Sequence, residues 1–193
     1  MDSETEKLTQ SQKILTAAFN CISTKGYANV SLRDIADEAG VVLSQLNYYY
    51  KNKEGLFTEV IKTAIQMYLQ EIENNLQKGT TIKEKMSFLT KYFRKMLIET
   101  PELFRLLYDF IGMSMWSDSF SKLLRQLFQD LSDLIEKNIL MNISINGKFM
   151  GYSPKIIARM IIGALFGITI QSILDPEKET LSDALNLIPV VFE

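Results

Sequence analysis

The chain has 193 residues, 47% of them apolar and 23% charged, with a formal net charge of −2. That is an ordinary globular composition, which excludes a disordered acidic tail and a basic coat protein. With no histidine and a single cysteine, Cys21, the chain lacks the commonest general base near neutral pH, any thiolate metal cluster and any intrachain disulfide.

No catalytic residue, metal site or cofactor is therefore expected, and the cysteine usage fits a reducing compartment. The opening MDSETEKLTQSQKIL has no basic region followed by a long apolar run, so it is not a secretory signal. The longest strongly apolar run, MIIGALFGITI at 160–170, makes about 16 Å of helix, which is short of a bilayer. A cytoplasmic protein without a membrane partner is expected.

In chain order, helical spacing dominates. Ile14, Ala17, Ala18, Cys21 and Ile22 predict a first helix over about 9–24, which Gly26 stops. Ser31 is a good N-cap, with Asp34 three residues on in a near match to a capping box. Leu32, Ile35, Ala36 and Ala39 give the next short helix one apolar face, and Gly40 ends it. A further short helix covers 43–48, and a longer one runs from Lys53 to about Leu76.

Later helices are expected at about 81–98, 101–112, 117–140, 154–174 and 178–188, with Pro101 and Pro154 near helix starts. NISINGKFMGYS, 142–153, contains the Asn146-Gly147 turn signal and is expected to be a loop between helices. The fold class is all-α: an N-terminal three-helix helix-turn-helix domain over 1–52, then a larger helical ligand-binding and dimerisation domain over 53–193.

Short helix, glycine, short helix is the helix-turn-helix shape. Leu46 anchors the second helix, while Ser44, Gln45 and Asn47 put short polar side chains on its open face. Gln and Asn can make paired hydrogen bonds to adenine in the major groove. Tyrosine hydroxyls reach phosphate oxygens, which gives Tyr48 and Tyr49 a role as clamps and leaves Tyr50 to turn inward. Lys53, at a helix start, would favour the same anion. The three tyrosines read equally well as packed aromatics, and a glycine between two short helices is common. The first 55 residues hold six basic and seven acidic side chains. DNA binding must then depend on where charges sit rather than on their total.

The stretch AAFNCISTKGYANVSLRDIADEAGVVLSQLNYYYKNKEGLFTEVI, 17–61, resembles the DNA-binding domain of the TetR family of bacterial transcription regulators. The likeness lies in a first helix ending in KGY, the LRDIADEAGV block, and the aromatic run into KNKEGLF. The resemblance implies that Ser31 caps its helix and touches phosphate, and that Arg33 reaches a base or the backbone. It places Ser44, Gln45 and Asn47 on the recognition helix, and Tyr48, Tyr49 and Lys53 on the DNA backbone. The family usually has tyrosine where this chain has Asn47, and often a polar residue where it has Val42 and Leu43. Those departures obscure the operator sequence, not the fold.

Beyond residue 62 the likeness is one of architecture only. Tyr68, Tyr92, Phe93, Met96, Phe104, Tyr108, Met113 and Trp116 fall within about 50 residues, and methionine with aromatics suits an adaptable apolar cavity. Taken singly, each is better explained as core. PKIIARMIIGALFGITIQSIL, 154–174, is apolar nearly all round, and the last segment LSDALNLIPVVF carries more apolar surface than a tail needs. Two such helices suggest a four-helix contact across a two-fold axis, as the family implies, through Ile161, Ala164, Leu165, Ile168 and Leu185. A buried helix of a monomer is the alternative.

The expected function is a ligand-responsive, homodimeric transcription regulator. It would be a repressor whose partners are a double-stranded, palindromic DNA operator and a small apolar or amphipathic effector. An enzyme using the apolar cavity, and a module that docks on another protein, are the rivals.

Overall fold

The computed structural model describes residues 9–140, 149, 151–175 and 183–192, and among these the regular structure is helical throughout. The chain divides into two compact units, Met1–Ala64 and Ile65–Glu193, with the division inside a continuous helix.

The first unit opens with α1 (Gln10–Lys25), capped by Thr9 and Gln12 in a reciprocal box. A 3-10 turn, Tyr27–Asn29, leads to α2 (Leu32–Ala39), α3 (Leu43–Tyr49) and the start of α4 (Lys53–Leu76). The core holds Ile14, Ala18, Ile22, Ile35, Leu46 and Phe57, each at most 1% exposed. Burying a side chain such as Leu46 contributes about 1.5–3 kcal/mol.

The α2–α3 corner is fixed by backbone chemistry. Gly40 sits in the left-handed region (φ 65°, ψ 36°). Its N–H donates to the Asp37 carbonyl at 3.2 Å, and the Val41 N–H donates to the Ala36 carbonyl at 3.0 Å. This crossed pair is a Schellman termination, which occupies carbonyls that a helix end leaves free. Val41, just past the corner, is buried.

The second unit continues α4 and adds α5 (Ile82–Glu99), α6 (Pro101–Ser114), α7 (Asp118–Ile135) and α8 (Pro154–Leu174). α7 runs into one π-helical turn, Glu136–Leu140, so the expected single helix over 117–140 changes its winding near the end. α5 starts on a Thr81–Glu84 capping box, and α8 on Ser153 with proline at its first turn. The Lys85 ammonium donates to the Asn138 carbonyl at 2.7 Å and ties α5 to the π turn. The core is built from Leu76, Met86, Leu89, Phe104, Leu106 and Phe110.

Two expectations change and one lies mostly outside the described residues. Where a helix is predicted over 178–188, residues 183–192 form two 3-10 turns, Asp183–Leu187 and Pro189–Phe192, and the earlier part of that segment lies outside the described residues. Pro189 cannot donate a backbone hydrogen bond, which cuts the winding short. Most of the loop expected at 142–153, residues 142–148 and 150, lies outside the described residues.

The length argument against a membrane helix also fails. The run 160–170 is part of the 21-residue α8, which is long and apolar enough to cross a bilayer by length and composition. Its Ile157, Ala158, Ile161, Ile162, Leu165 and Thr169 are buried within the unit, as in a core helix.

Candidate nucleic-acid interface

α3 presents two chemically distinct sides. Leu46 is fully buried beneath it, while Ser44, Gln45 and Asn47 are exposed on the opposite side. Tyr48 is 84% exposed and Tyr49 45%, and their rings meet edge to face with centroids 5.3 Å apart. Tyr50 turns inward, and its hydroxyl lies 2.9 Å from Ser11 Oγ on α1. The sequence spacing explains the split: at 100° per residue, 46 and 50 share the inner face, and 44, 45, 47 and 48 fall outside it.

Gln45 has a local task. Its Oε1 accepts the Val42 N–H at 3.2 Å at the start of α3, which is the half of a capping box that does not need a polar side chain at Val42. The Nε2 group keeps both its donors for another partner.

Ser31 caps α2. Its Oγ accepts the Asp34 N–H at 3.1 Å, while the Ser31 hydroxyl and N–H donate to Asp34 Oδ2 at 2.6 and 2.7 Å. Those bonds, the side-chain one first, hold the Asp34 carboxyl below the usual carboxylate range. Ser31 and Arg33 are both exposed.

Lys53 departs from the sequence reading. Its ammonium donates to the Tyr27 carbonyl and stands 4.2 Å from the centroid of the Tyr27 ring. Burial pushes its pKa down, against the attraction of Asp34. Next to it, Asn52 Oδ1 accepts the Gly55 N–H at 2.7 Å at the start of α4. In the free chain the Lys53 ammonium is thus engaged by Tyr27, while the residue itself stays half-exposed. Lys51, which the sequence reading did not single out, is exposed in the turn directly after the tyrosines. Its signal was its place in the YYYKNK run.

In the second unit no cavity among the described residues is lined by the eight aromatic and methionine candidates together. Phe93, Phe104, Met96 and Tyr92 are buried in packing contacts, with Phe93 and Phe104 centroids 6.2 Å apart. The Tyr92 hydroxyl donates to Glu71 at 2.6 Å. The Tyr108 hydroxyl donates to the Phe166 carbonyl at 2.6 Å and lies 2.7 Å from Thr169 Oγ1. Tyr68 and Met113 are half-buried, and Trp116 is 92% exposed. The enclosed apolar gap beside Phe93 holds about 10 Å³, too little for an effector. Side-chain type alone does not separate core from cavity lining.

The five interface candidates divide as well. Ile161, Leu165 and Leu185 are buried in the unit's own core, whereas Ala164 and Ile168 are half-exposed. The outward row of α8 is instead Ile156, Met160, Gly163, Gly167, Gln171 and Leu174, at spacings of three or four.

Residues 14–60 match the family model for bacterial regulatory proteins of the tetR family. A fatty acid metabolism regulator protein of Bacillus subtilis is 28% identical over 89 residues, 46% of each chain. An HTH-type transcriptional regulator from the lacX 3′ region of Lactococcus lactis is 28% identical over 134 residues, 66% of this chain and 67% of its own. The chain thus spans under half the length of the first of these relatives. A TetR transcription regulator from Haloarcula marismortui superposes with a TM-score of 0.78 at 20% identity, covering 92% of this chain and 93% of its own, which establishes the shared fold. Residues 14–60, which contain the α2–α3 corner and its exposed polar face, carry the DNA-binding segment of the tetR family of bacterial regulatory proteins, and the chain as a whole shares the fold of a TetR regulator.

Proposed function

We propose that the protein is a homodimeric, ligand-responsive repressor in the cytoplasm that binds a palindromic operator. It acts by binding, not by catalysis, and has no membrane partner. The observation that carries this reading is the two-sided α3: a fully buried Leu46 below, and exposed Ser44, Gln45 and Asn47 above. A helix whose only task was packing has no use for that row.

In this reading α3 lies in the major groove, with Gln45 and Asn47 facing base edges. Ser31, Arg33, Tyr48 and Tyr49, joined by Lys51, hold phosphates. Lys53 supports the site through Tyr27 instead of touching DNA. The outward row of α8 supports dimerisation, because Ile156, Met160 and Leu174 leave apolar surface open at one face while Gly163 and Gly167 permit close backbone approach. A small amphipathic effector in the second unit favours a subunit arrangement with the wrong reader spacing, which requires only that it bind the two arrangements unequally.

Selection of bound sequences from random duplex DNA, with the mass of the free protein measured by light scattering, tests this. A palindromic consensus and a dimer mass are expected. A monomer that retains no duplex at low salt overturns the reading.

A further inference from the structure

An open cleft of about 850 Å³ lies between α7 and α8, with Ile111 of α6 at its side. That is within the usual size of small-molecule sites, about 300–1,000 Å³. Its walls follow helical spacing: positions 122, 125, 126, 129 and 132 on α7, and 159, 162, 163 and 166 on α8.

The chemistry of the lining is lopsided. Its charged members are Lys122, Arg125 and Arg159, all cationic and all exposed at the rim. Among the described residues Lys122 and Arg159 form no ion pair, and Arg125 donates to Ser121 Oγ, at 3.0 Å, and to no carboxylate. Of the other α7 carboxylates, Asp130 and Asp133 accept from Gln126 and Gln129 at 2.7 and 2.5 Å, and Asp118 lies one helical turn before Lys122 without forming an ion pair with a described residue. Between the cations the surface is apolar, from Ile111, Phe128, Ile162 and Phe166, and the Phe128 and Phe166 rings stand 5.7 Å apart.

A second, independent feature lies in the same lining. Ser132 is 0% exposed, and its hydroxyl has no hydrogen-bond partner among the described residues. A buried hydroxyl without a partner is a cost the fold normally avoids. At 0% exposure the hydroxyl lies just behind the cleft wall, so a shift of the neighbouring side chains on ligand entry would bring it to an occupant.

We propose that this cleft is the effector site, and that the effector is an amphipathic oxyanion. A carboxylate or phosphate head sits at the rim between Arg125, Arg159 and Lys122, and the apolar body lies on Phe128, Ile162 and Phe166. This rests on the regulator reading and names its ligand class. Guanidinium groups suit either head, because their paired N–H donors match two oxygens of one anion. Gly163 belongs both to the cleft wall and to the outward row of α8, so an occupant lies beside the surface proposed to meet the second subunit.

The test is calorimetric titration of the full-length protein with sodium decanoate, decyl phosphate and 1-decanol. It is repeated with the double variant R125Q/R159Q and with S132A. Both substituted arginines are exposed, so the fold should survive, and a thermal melt checks it. At least one anion should bind ten-fold or more tightly than decanol, and its identity tells carboxylate from phosphate. R125Q/R159Q should abolish that preference while leaving decanol affinity unchanged, and S132A should leave it in place. Equal affinity for all three probes, binding of none, or an anion preference that survives in the double variant overturns the proposal. A gel shift with the ligand-free protein separates the two levels: DNA retained without anion binding removes this inference alone, and no DNA retained removes the regulator reading itself.

Discussion

The Lys53 ammonium lies 4.2 Å from the centroid of the Tyr27 ring and donates to the Tyr27 carbonyl, 26 residues back along the chain. A cation over an aromatic face contributes about 0.5–2 kcal/mol, depending on how far it is desolvated. Lys53→Ala should therefore lower unfolding free energy by about 1 kcal/mol in urea denaturation. Its effect on DNA affinity should be the same at every salt concentration, because no phosphate contact is lost. A slope of log K against log salt that becomes shallower by about one unit would return Lys53 to the phosphate-binding set.

Gln45 faces outward and also caps its own helix through the Val42 N–H. Gln45→Ala should weaken binding to the selected duplex by about 1–3 kcal/mol, with a much smaller loss on random duplex. The comparison by fluorescence anisotropy removes Gln45 from the reading set if both duplexes lose equally.

Gly40 holds the α2–α3 corner at φ 65° with open space around the position a Cβ would take. The cost of a side chain there is conformational and not steric, about 1–2 kcal/mol for a left-handed backbone. Gly40→Ala should lower stability by that amount, and Gly40→Asn by less, since asparagine tolerates this region best among the alternatives. Equal losses in thermal melts would assign the effect to something other than the turn.

Glu84 accepts the backbone N–H and hydroxyl of Thr80 at 2.8 Å each and the Thr81 N–H at 3.1 Å. These bonds, that from the Thr80 backbone first, bring its pKa from 4.5 down to about 2. A carboxylate with a depressed folded-state pKa stabilises the fold above its unfolded value and loses that share as pH falls toward the folded one. The stability gap between the parent and Glu84→Gln should be constant above about pH 5 and should close between there and pH 2. Equilibrium denaturation across that range measures it, and a gap independent of pH would mean the capping bonds do not survive in solution.

What the sequence could reveal followed the range of the interaction. α4 and α8 are legible to the residue, Lys53–Leu76 and Pro154–Leu174, because their signals are local: helical spacing throughout, and Ser153 with Pro154 at one start. The α2–α3 corner is legible for the same reason, since Ser31, Asp34 and Gly40 are all capping residues. The orientation of Lys53 is not legible, because it depends on Tyr27 across a long stretch of chain. Nor was the choice between Ile161 and Met160 as the outward residue of α8. An apolar helix has no polar stripe to mark its solvent side, so only its packing neighbours decide. The cationic cleft escaped notice because Arg125 and Arg159 lie 34 positions apart and meet only when α7 packs on α8.

The outward row of α8 carries a thermodynamic signature. Ile156, Met160 and Leu174 are roughly half-exposed or more, and covering them with a second copy would link folding to association. Dilution then acts as a denaturant: each hundred-fold drop in concentration removes about 2.7 kcal/mol of mass-action support. For an assembly of this size that lowers the melting temperature by on the order of 3 °C. Melts that coincide across a hundred-fold concentration series would mean the row stays uncovered.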